Sequence, residues 1–251
     1  MKKSLFTILA LIVFTAAFAQ KTDTTANKNV TPPVQPKKKD WSKIDLSHRA
    51  NDHFMVQIGY VGWSGIPDTL STNNLPRTFN FYFLFDFPFK SDPRFSVGAG
   101  LGIGSSNIFF KNQASPIAVT PRQDASGGNH FKKYKLVNTY LEIPLELRFA
   151  LDPENTNKSW KFAVGTKVGT MLSAYAKGKN VLNGSNQSVD NSIYKISSKS
   201  EFNNIKLAGT VRISKGPFGI YGQYQVTSLM KASYGLPVVY PFEFGICFSG
   251  L

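Results

Sequence analysis

Apolar side chains alternate with polar or small ones along most of the chain after residue 53. The clearest case is FNFYFLFDFPF, residues 79–89, in which phenylalanine occupies every second position: Phe79, Phe81, Phe83, Phe85, Phe87 and Phe89. A repeat of two residues puts successive side chains on opposite faces of a β-strand, so this segment predicts a strand with one apolar face. The repeat alone fits a soluble core or a lipid-facing surface equally well.

Eight segments with this alternation predict an all-β chain. They span residues 53–63, 78–90, 95–104, 135–151, 160–176, 204–214, 218–229 and 237–248. The connections between them alternate in length, which in an antiparallel meander places the long loops at one end and both termini at the other. An even number of strands, most long enough to cross a bilayer, is typical of outer-membrane barrels. The pattern therefore predicts an eight-stranded, antiparallel, up-and-down transmembrane β-barrel with a disordered N-terminal tether.

Space inside a narrow barrel decides which face points outward. An eight-stranded barrel is just wide enough to be filled by side chains, so it has no room for six phenylalanines from a single strand. The opposite face has glycine at every second position from Gly98 to Gly104, which suits a crowded interior. The phenylalanine row is therefore expected to face lipid. Trp160 and Trp63 are expected in the aromatic girdles at the two membrane interfaces.

Charged residues on the predicted lumen face are balanced between acids and bases. They are Asp86, Glu142, Glu146, Glu243, Arg148, Lys167, Lys206 and Arg212. Because an isolated buried charge costs several kcal/mol, these residues are expected to pair. We expect a salt-bridge network that plugs the lumen, with an ion path as the alternative use of the same residues.

The first 19 residues predict a secretory signal peptide. Lys2 and Lys3 precede an apolar segment, and Ala17-Phe18-Ala19 has the small-x-small pattern of a cleavage site. The apolar segment is shorter than the ~20 residues that a membrane-spanning helix needs. Loss of the two lysines reduces the formal net charge of +14 to +12.

Residues 20–50 have a composition unlike that of the rest of the chain. They are polar and rich in proline, with few apolar residues to bury, which predicts a disordered periplasmic linker. The run Lys37, Lys38 and Lys39 is expected either to contact a periplasmic partner or to be part of a solvated tether. Residues 51–251 are assigned to the barrel.

Residues 105–135, which are the third connection and the first residue of the next strand, are strongly basic and have a single acid, Asp124. Their basic residues are Lys111, Arg122, Lys132, Lys133 and Lys135. Phosphate groups of lipid A attract such charge, so contacts with outer-membrane lipids and lipopolysaccharide are expected. Nucleic acid is not an expected partner of an exported barrel, and a monomer is expected.

No residue pattern indicates catalysis. His130 lies near Asp124 and Ser126 in the third connection. A lipid-modifying enzyme could use these residue types, but their spacing is not diagnostic of one. Cys247 is the only cysteine, so an internal disulfide is excluded, and no Cys/His spacing fits a metal site. We expect neither enzymatic activity nor a cofactor nor a metal.

Three segments resemble the PorT-like outer-membrane β-barrel family of Bacteroidetes. They are NTYLEIPLELRF (138–149), FAVGTKVGTMLSAY (162–175) and IKLAGTVRISKGPFGIYGQYQVTSL (205–229). The resemblance implies a location in the outer membrane and defines no catalytic residues. Such a barrel is expected to be inserted by the barrel-assembly machinery. The expected role is structural, binding or secretion-associated, with a small-solute channel as the alternative.

Overall fold

The computed structural model describes residue 46 and residues 53–66, 68, 72, 75–110 and 128–250. All of these belong to one compact unit, Asp40–Leu251. The predicted signal peptide, most of the predicted linker with its three lysines, and Lys111 and Arg122 lie outside the described residues. Within the described residues, no helix has the length and apolar character needed to cross a membrane.

The described part of the chain forms nine β-strands and a one-turn 3-10 helix, Ala232–Tyr234. The strands are β1 Phe54–Ser64, β2 Arg77–Pro88, β3 Phe95–Phe110, β4 His130–Ala150, β5 Trp160–Leu182, β6 Ser188–Ser197, β7 Ile205–Lys215, β8 Phe218–Gln225 and β9 Tyr240–Ser249. The pairings among these nine strands are antiparallel, in agreement with the predicted meander.

Eight of these strands close into a barrel. Their order is β4-β3-β2-β1-β9-β8-β7-β5, and β5 pairs back onto β4. The first and last strands meet along their whole length, from Met55 opposite Ser249 to Ser64 opposite Tyr240. Closure leaves no open sheet edge around the barrel, which is what a strand protein needs in hydrocarbon. The predicted eight-stranded fold is confirmed.

The segment 177–203, predicted as a long loop, instead contains part of β5 and an additional strand. β5 continues to Leu182, and β6 returns along it from Ser188 to Ser197. β6 has no apolar alternation, because nearly all its side chains are exposed, so the sequence carried no period-two signal there. β3 and β4 also extend beyond the predicted limits, whereas β8 and β9 are shorter than predicted.

The connections segregate by length, as the sequence predicts. The short ones, 89–94, 151–159 and 216–217, lie at the end of the barrel that also holds the start of β1 and the end of β9. We call it the turn end. The longer connections leave from the opposite end, where β1, β3, β5 and β8 end and β2, β4, β7 and β9 begin, and we call it the loop end.

Local interactions define the short turns. Gly216, the first residue of the two-residue turn, has a φ of +60°, which a residue without a Cβ adopts readily. In the turn after β2, the Arg94 guanidinium donates a 2.6 Å hydrogen bond to Asp92. This hydrogen bond holds the pKa of the Asp92 carboxyl below its ordinary value.

The outward face of the barrel is a continuous apolar surface, which we call the belt. The six phenylalanines of the 79–89 row lie on it, with exposed fractions between 37% and 57%. Other strands add Ile58, Leu101, Ile103, Ile143, Leu145, Leu147, Val164, Val168, Val211, Ile213, Ile220, Phe244 and Ile246. Exposed apolar surface on this scale is unfavourable in water and matches the hydrocarbon of a bilayer.

The two tryptophans assigned to the interfacial girdles lie on opposite faces. Trp160, at the turn end of β5, is 46% exposed on the outward face. Trp63 is 7% exposed and packs inside the barrel against Phe110, with ring centroids 5.6 Å apart. The prediction for Trp63 was wrong because alternate residues of β1 from Met55 onward, Trp63 among them, point inward.

We expect Phe83→Arg to lower the free energy of unfolding by ~2–4 kcal/mol, because Phe83 lies near the middle of β2 and so near the bilayer midplane. Phe218→Arg is the control, since Phe218 begins β8 at the turn end and should cost only ~0–1 kcal/mol near the interface. Urea unfolding in lipid vesicles measures both values. Equal losses would contradict the assignment of the belt to lipid.

Candidate functional site

The glycine row of β3 faces the lumen and makes room for long side chains from its neighbours. A methyl group on Gly98 would overlap the guanidinium of Arg148, and one on Gly102 would overlap the ring of Tyr82. Large side chains from β2 and β4 therefore lie directly across the β3 backbone. This close approach explains why the row is glycine.

All eight of the charged residues predicted on the lumen face have buried side chains. They divide along the barrel axis into two groups, each with two acids and two bases. The turn-end cluster is Asp86, Glu146, Arg148 and Arg212. The central cluster is Glu142, Glu243, Lys167 and Lys206. Among these eight residues each cluster has as many acids as bases, which lowers the cost of burying the charges.

The turn-end cluster is a chain of ion pairs. Arg148 donates to Glu146 at 3.0 Å and to Asp86 at 3.3 Å, and Arg212 donates to Glu146 at 2.8 Å. Ser96 Oγ donates a further 2.7 Å hydrogen bond to Asp86. A cavity beside these residues measures about 20 Å³, which is room for one water molecule. The turn end of the lumen is therefore filled by its own side chains.

The central cluster is held by one ammonium group and a set of neutral donors. Lys206 Nζ donates to Glu142 at 2.8 Å and lies 3.5 Å from Glu243. Glu243 also accepts hydrogen bonds from Thr78 at 3.0 Å and Asn80 at 3.1 Å. Both carboxylates are thus satisfied without bulk water.

Lys167 is fully buried and reaches an acid only indirectly. Its Nζ donates to Gln57 Oε1 and to Tyr82 Oη, both at 2.9 Å, and Tyr82 donates in turn to Glu142 at 2.6 Å. No described carboxylate lies within ion-pair distance of Lys167. The expected pairing is therefore replaced by a hydrogen-bonded link through a tyrosine.

An apolar cluster closes the lumen between the central cluster and the loop end. We call it the apolar seal. It consists of Val61, Trp63, Ile108, Phe110, Phe131, Tyr134, Leu136, Tyr140, Met171, Ala174, Ala176, Val181, Phe202, Leu229, Met230 and Val239. Phe202 and Met230 come from two different long connections and pair with each other across the mouth. The loop end is thus covered by segments that fold inward.

Sequence reasoning missed the neutral members of the lumen and the seal. Gln57, Thr78, Asn80 and Tyr82 are buried hydrogen-bonding residues on inward positions of β1 and β2. Each of them lies an odd number of residues from a belt residue of its own strand, and this spacing in the sequence predicts an inward side chain. Lys161 of β5 is also buried in the lumen wall, and the acids and bases predicted for the lumen face did not include it.

The residues considered for catalysis and for lipid A contact are only partly among the described residues. His130 Nε2 lies 3.1 Å from Asn186 Oδ1, while Asp124 and Ser126 are outside the described residues. In the described residues no three His, Cys, Asp or Glu side chains are grouped to hold a metal ion. Lys132 and Lys133 are exposed, and Lys135 is half-buried.

Comparison with known proteins points to one family. The model of the outer membrane protein beta-barrel domain matches residues 67–248. No curated protein matches significantly. Two structures of Ail, the attachment invasion locus protein of Yersinia pestis, are similar, each over 80% of this chain and 99% of the other. The complex with the heparin analogue sucrose octasulfate is 11% identical with a TM-score of 0.35, and the second structure is 12% identical with a TM-score of 0.34.

Lys167→Met is expected to lower the free energy of unfolding by ~3–5 kcal/mol, because the central cluster would keep two carboxylates and only one ammonium group. The double variant Lys167→Met/Glu243→Gln restores a neutral cluster and should recover part of the loss. Urea unfolding in vesicles compares the two. Wild-type stability in the single variant, or no recovery in the double, would contradict the charge balance described above.

Proposed function

Since this chain belongs to the family of outer membrane protein beta-barrel domains, we propose that it acts as a closed barrel with a structural, binding or secretion-associated role. The protein is located in the outer membrane, and its wall is the eight-stranded barrel described above. The filled lumen is the observation that carries the proposal. A small-solute channel needs a continuous aqueous path, and the lumen side chains oppose one at two levels.

The first level is ionic. Tyr82, Glu142 and Lys167 have no exposed surface, so the central cluster is shielded from water. An ion that crossed this layer would have to break hydrogen bonds of 2.6–2.9 Å that satisfy buried charges. Breaking such bonds without replacing them is costly in a low-dielectric interior. The salt-bridge network therefore favours a plug.

The second level is the apolar seal. Trp63, Phe110 and Phe202 lie within it, and Phe202 and Met230 are fully buried. Narrow hydrophobic constrictions exclude water and so resist ion passage. A polar plug and an apolar seal in series support a barrel that does not conduct.

With the lumen filled, the two ends of the barrel are the surfaces that remain for contacts with molecules outside the bilayer. β4 and β5 are 21 and 23 residues long, about twice the ~9–11 that cross a membrane, so both project beyond the bilayer at the loop end. Long loops of such barrels face the cell exterior. Exposed Lys132 and Lys133 of β4 support contact with lipopolysaccharide. The resemblance to the PorT-like family is the basis for including a secretion-associated role.

Reconstituted into planar bilayers, the protein is expected to show no stable conductance, because the two lumen layers block a water path. Protease protection of the barrel in the proteoliposomes that deliver it to the bilayer would verify insertion. A steady ohmic current from the inserted wild-type protein would overturn the plug and support the channel. The proposal also excludes catalysis on lipid A, so lipid A mass spectra should be the same with and without the gene.

Orientation is tested with single cysteines in a Cys247→Ser background, since Cys247 is buried. Gly184→Cys at the loop end should react with a membrane-impermeant maleimide on intact cells, and the added side chain has open space around it. Ser91→Cys, exposed at the turn end, should react only after permeabilisation. The reverse labelling pattern would place the loop end in the periplasm.

A further inference from the structure

Five lysines share one face of the ribbon formed by β4, β5 and β6 at the loop end. Lys133 is opposite Lys179, and Lys135 is opposite Lys177 across the β4–β5 pairing. Lys195 of β6 is opposite Lys177 on its other side. The row Lys135–Lys177–Lys195 therefore crosses three strands, with a second row of two lysines beside it. We call these five residues the lysine ledge.

The lysine ledge lies on the outward face of the sheet. Four of its lysines line one shallow depression of about 160 Å³ together with Phe109 of β3. Lys135 Nζ is 5.9 Å from the centroid of the Phe109 ring, and Lys195 Nζ is 4.4 Å from that of Tyr175. The alternation along β3 and β4 places Phe109 and Lys135 on the same side as the belt.

The charge of the lysine ledge has no counterpart within the described residues. None of the ion pairs among them includes a ledge lysine. Like charges directly opposite each other on neighbouring strands are destabilising, and here three such pairs occur. Burial first and the charge of Lys177 second lower the pKa of Lys135, which lies on the part of β4 beyond the belt. An anion bound on the ledge would relieve this repulsion.

The height of the lysine ledge above the belt limits the kinds of anionic group that can reach it. Leu141 is the last outward apolar residue of β4 with exposed surface, since Val137 is buried, and Lys135 lies six residues further toward the loop end. At ~3.3 Å per residue and a strand tilt of ~40°, the ledge stands ~15 Å above the edge of the belt. Headgroup phosphates lie at that edge, whereas the sugars of a glycolipid extend above it.

We propose that the lysine ledge binds the phosphate and carboxylate groups on the core sugars of lipopolysaccharide in the outer leaflet. This inference rests on the proposed placement of the loop end outside the cell, and it adds Lys177, Lys179 and Lys195 to the contact expected from the sequence. Side chains opposite each other on paired strands are ~5 Å apart at Cβ, so two ammonium groups converge on one anionic group. Adjacent lysine pairs along the ribbon then engage successive charged sugars.

The test compares two triple variants with the same loss of charge. The ledge variant is Lys133→Gln/Lys177→Gln/Lys179→Gln. The control is Lys90→Gln/Lys158→Gln/Lys215→Gln, which removes three exposed lysines at the turn end. Lys135 is kept because it donates a 2.9 Å hydrogen bond to Asn107. Purified, folded protein in uncharged detergent is titrated with whole lipopolysaccharide, with lipid A lacking the core, and with a soluble sulfated oligosaccharide.

Whole lipopolysaccharide is expected to bind the wild-type and control proteins alike and the ledge variant at least about tenfold more weakly, with the difference shrinking at high salt. Lipid A alone should not distinguish the variants. Equal affinity of ledge and control variants for whole lipopolysaccharide would overturn the proposal. So would equal binding of lipid A and whole lipopolysaccharide, or tighter binding of the soluble oligosaccharide.

Folding is not expected to limit the comparison, since the ledge variant loses like-charge contacts and should unfold at the same or a higher temperature than wild type. If it does not fold, Lys179→Glu is the substitute, because a carboxylate there would pair with Lys133. That variant should also bind lipopolysaccharide more weakly, and unchanged binding would overturn the proposal. A conducting barrel or an inverted topology would be seen in the bilayer and labelling experiments, not in this titration.

Discussion

Every backbone polar group that crosses a bilayer must find its hydrogen bond within the protein, and the pairing of β4 with β5 meets this requirement by closing the sheet. Closure with only eight strands leaves a lumen about as wide as the side chains that point into it. The glycine row of β3 follows from that limit, because Arg148 and Tyr82 occupy the space that larger β3 side chains would need.

The narrow lumen also sets the chemistry of its contents. Charges cannot be solvated there, so each cluster holds two acids and two bases within hydrogen-bonding reach of each other or of neutral groups. Replacing such networks with apolar residues is often neutral for stability, so their value lies as much in a defined arrangement as in energy. Tyr82 shows this most clearly, since it joins the ammonium of Lys167 to the carboxylate of Glu142.

Beyond the bilayer the same strands follow different rules. The ribbon of β4, β5 and β6 is exposed to water, its apolar alternation ends, and like charges face each other across strands. A folded sheet tolerates such pairs at modest cost, because ammonium groups on long stems can separate in water. The belt and the apolar seal anchor the ribbon, so that its lysines are held at a set height above the membrane.

The sequence by itself determined the fold class, the outward face and eight of the charged residues that point into the lumen. A period of two is a local property of each strand, so the outward phenylalanine row and the eight inward charged residues were readable without coordinates. Tertiary structure alone decided the register. Register chose Tyr82 as the partner of Lys167 and brought lysines from residues 133 to 195 onto one surface. These outcomes depend on which residues stand opposite each other across strands, and the period of a single strand carries no such information.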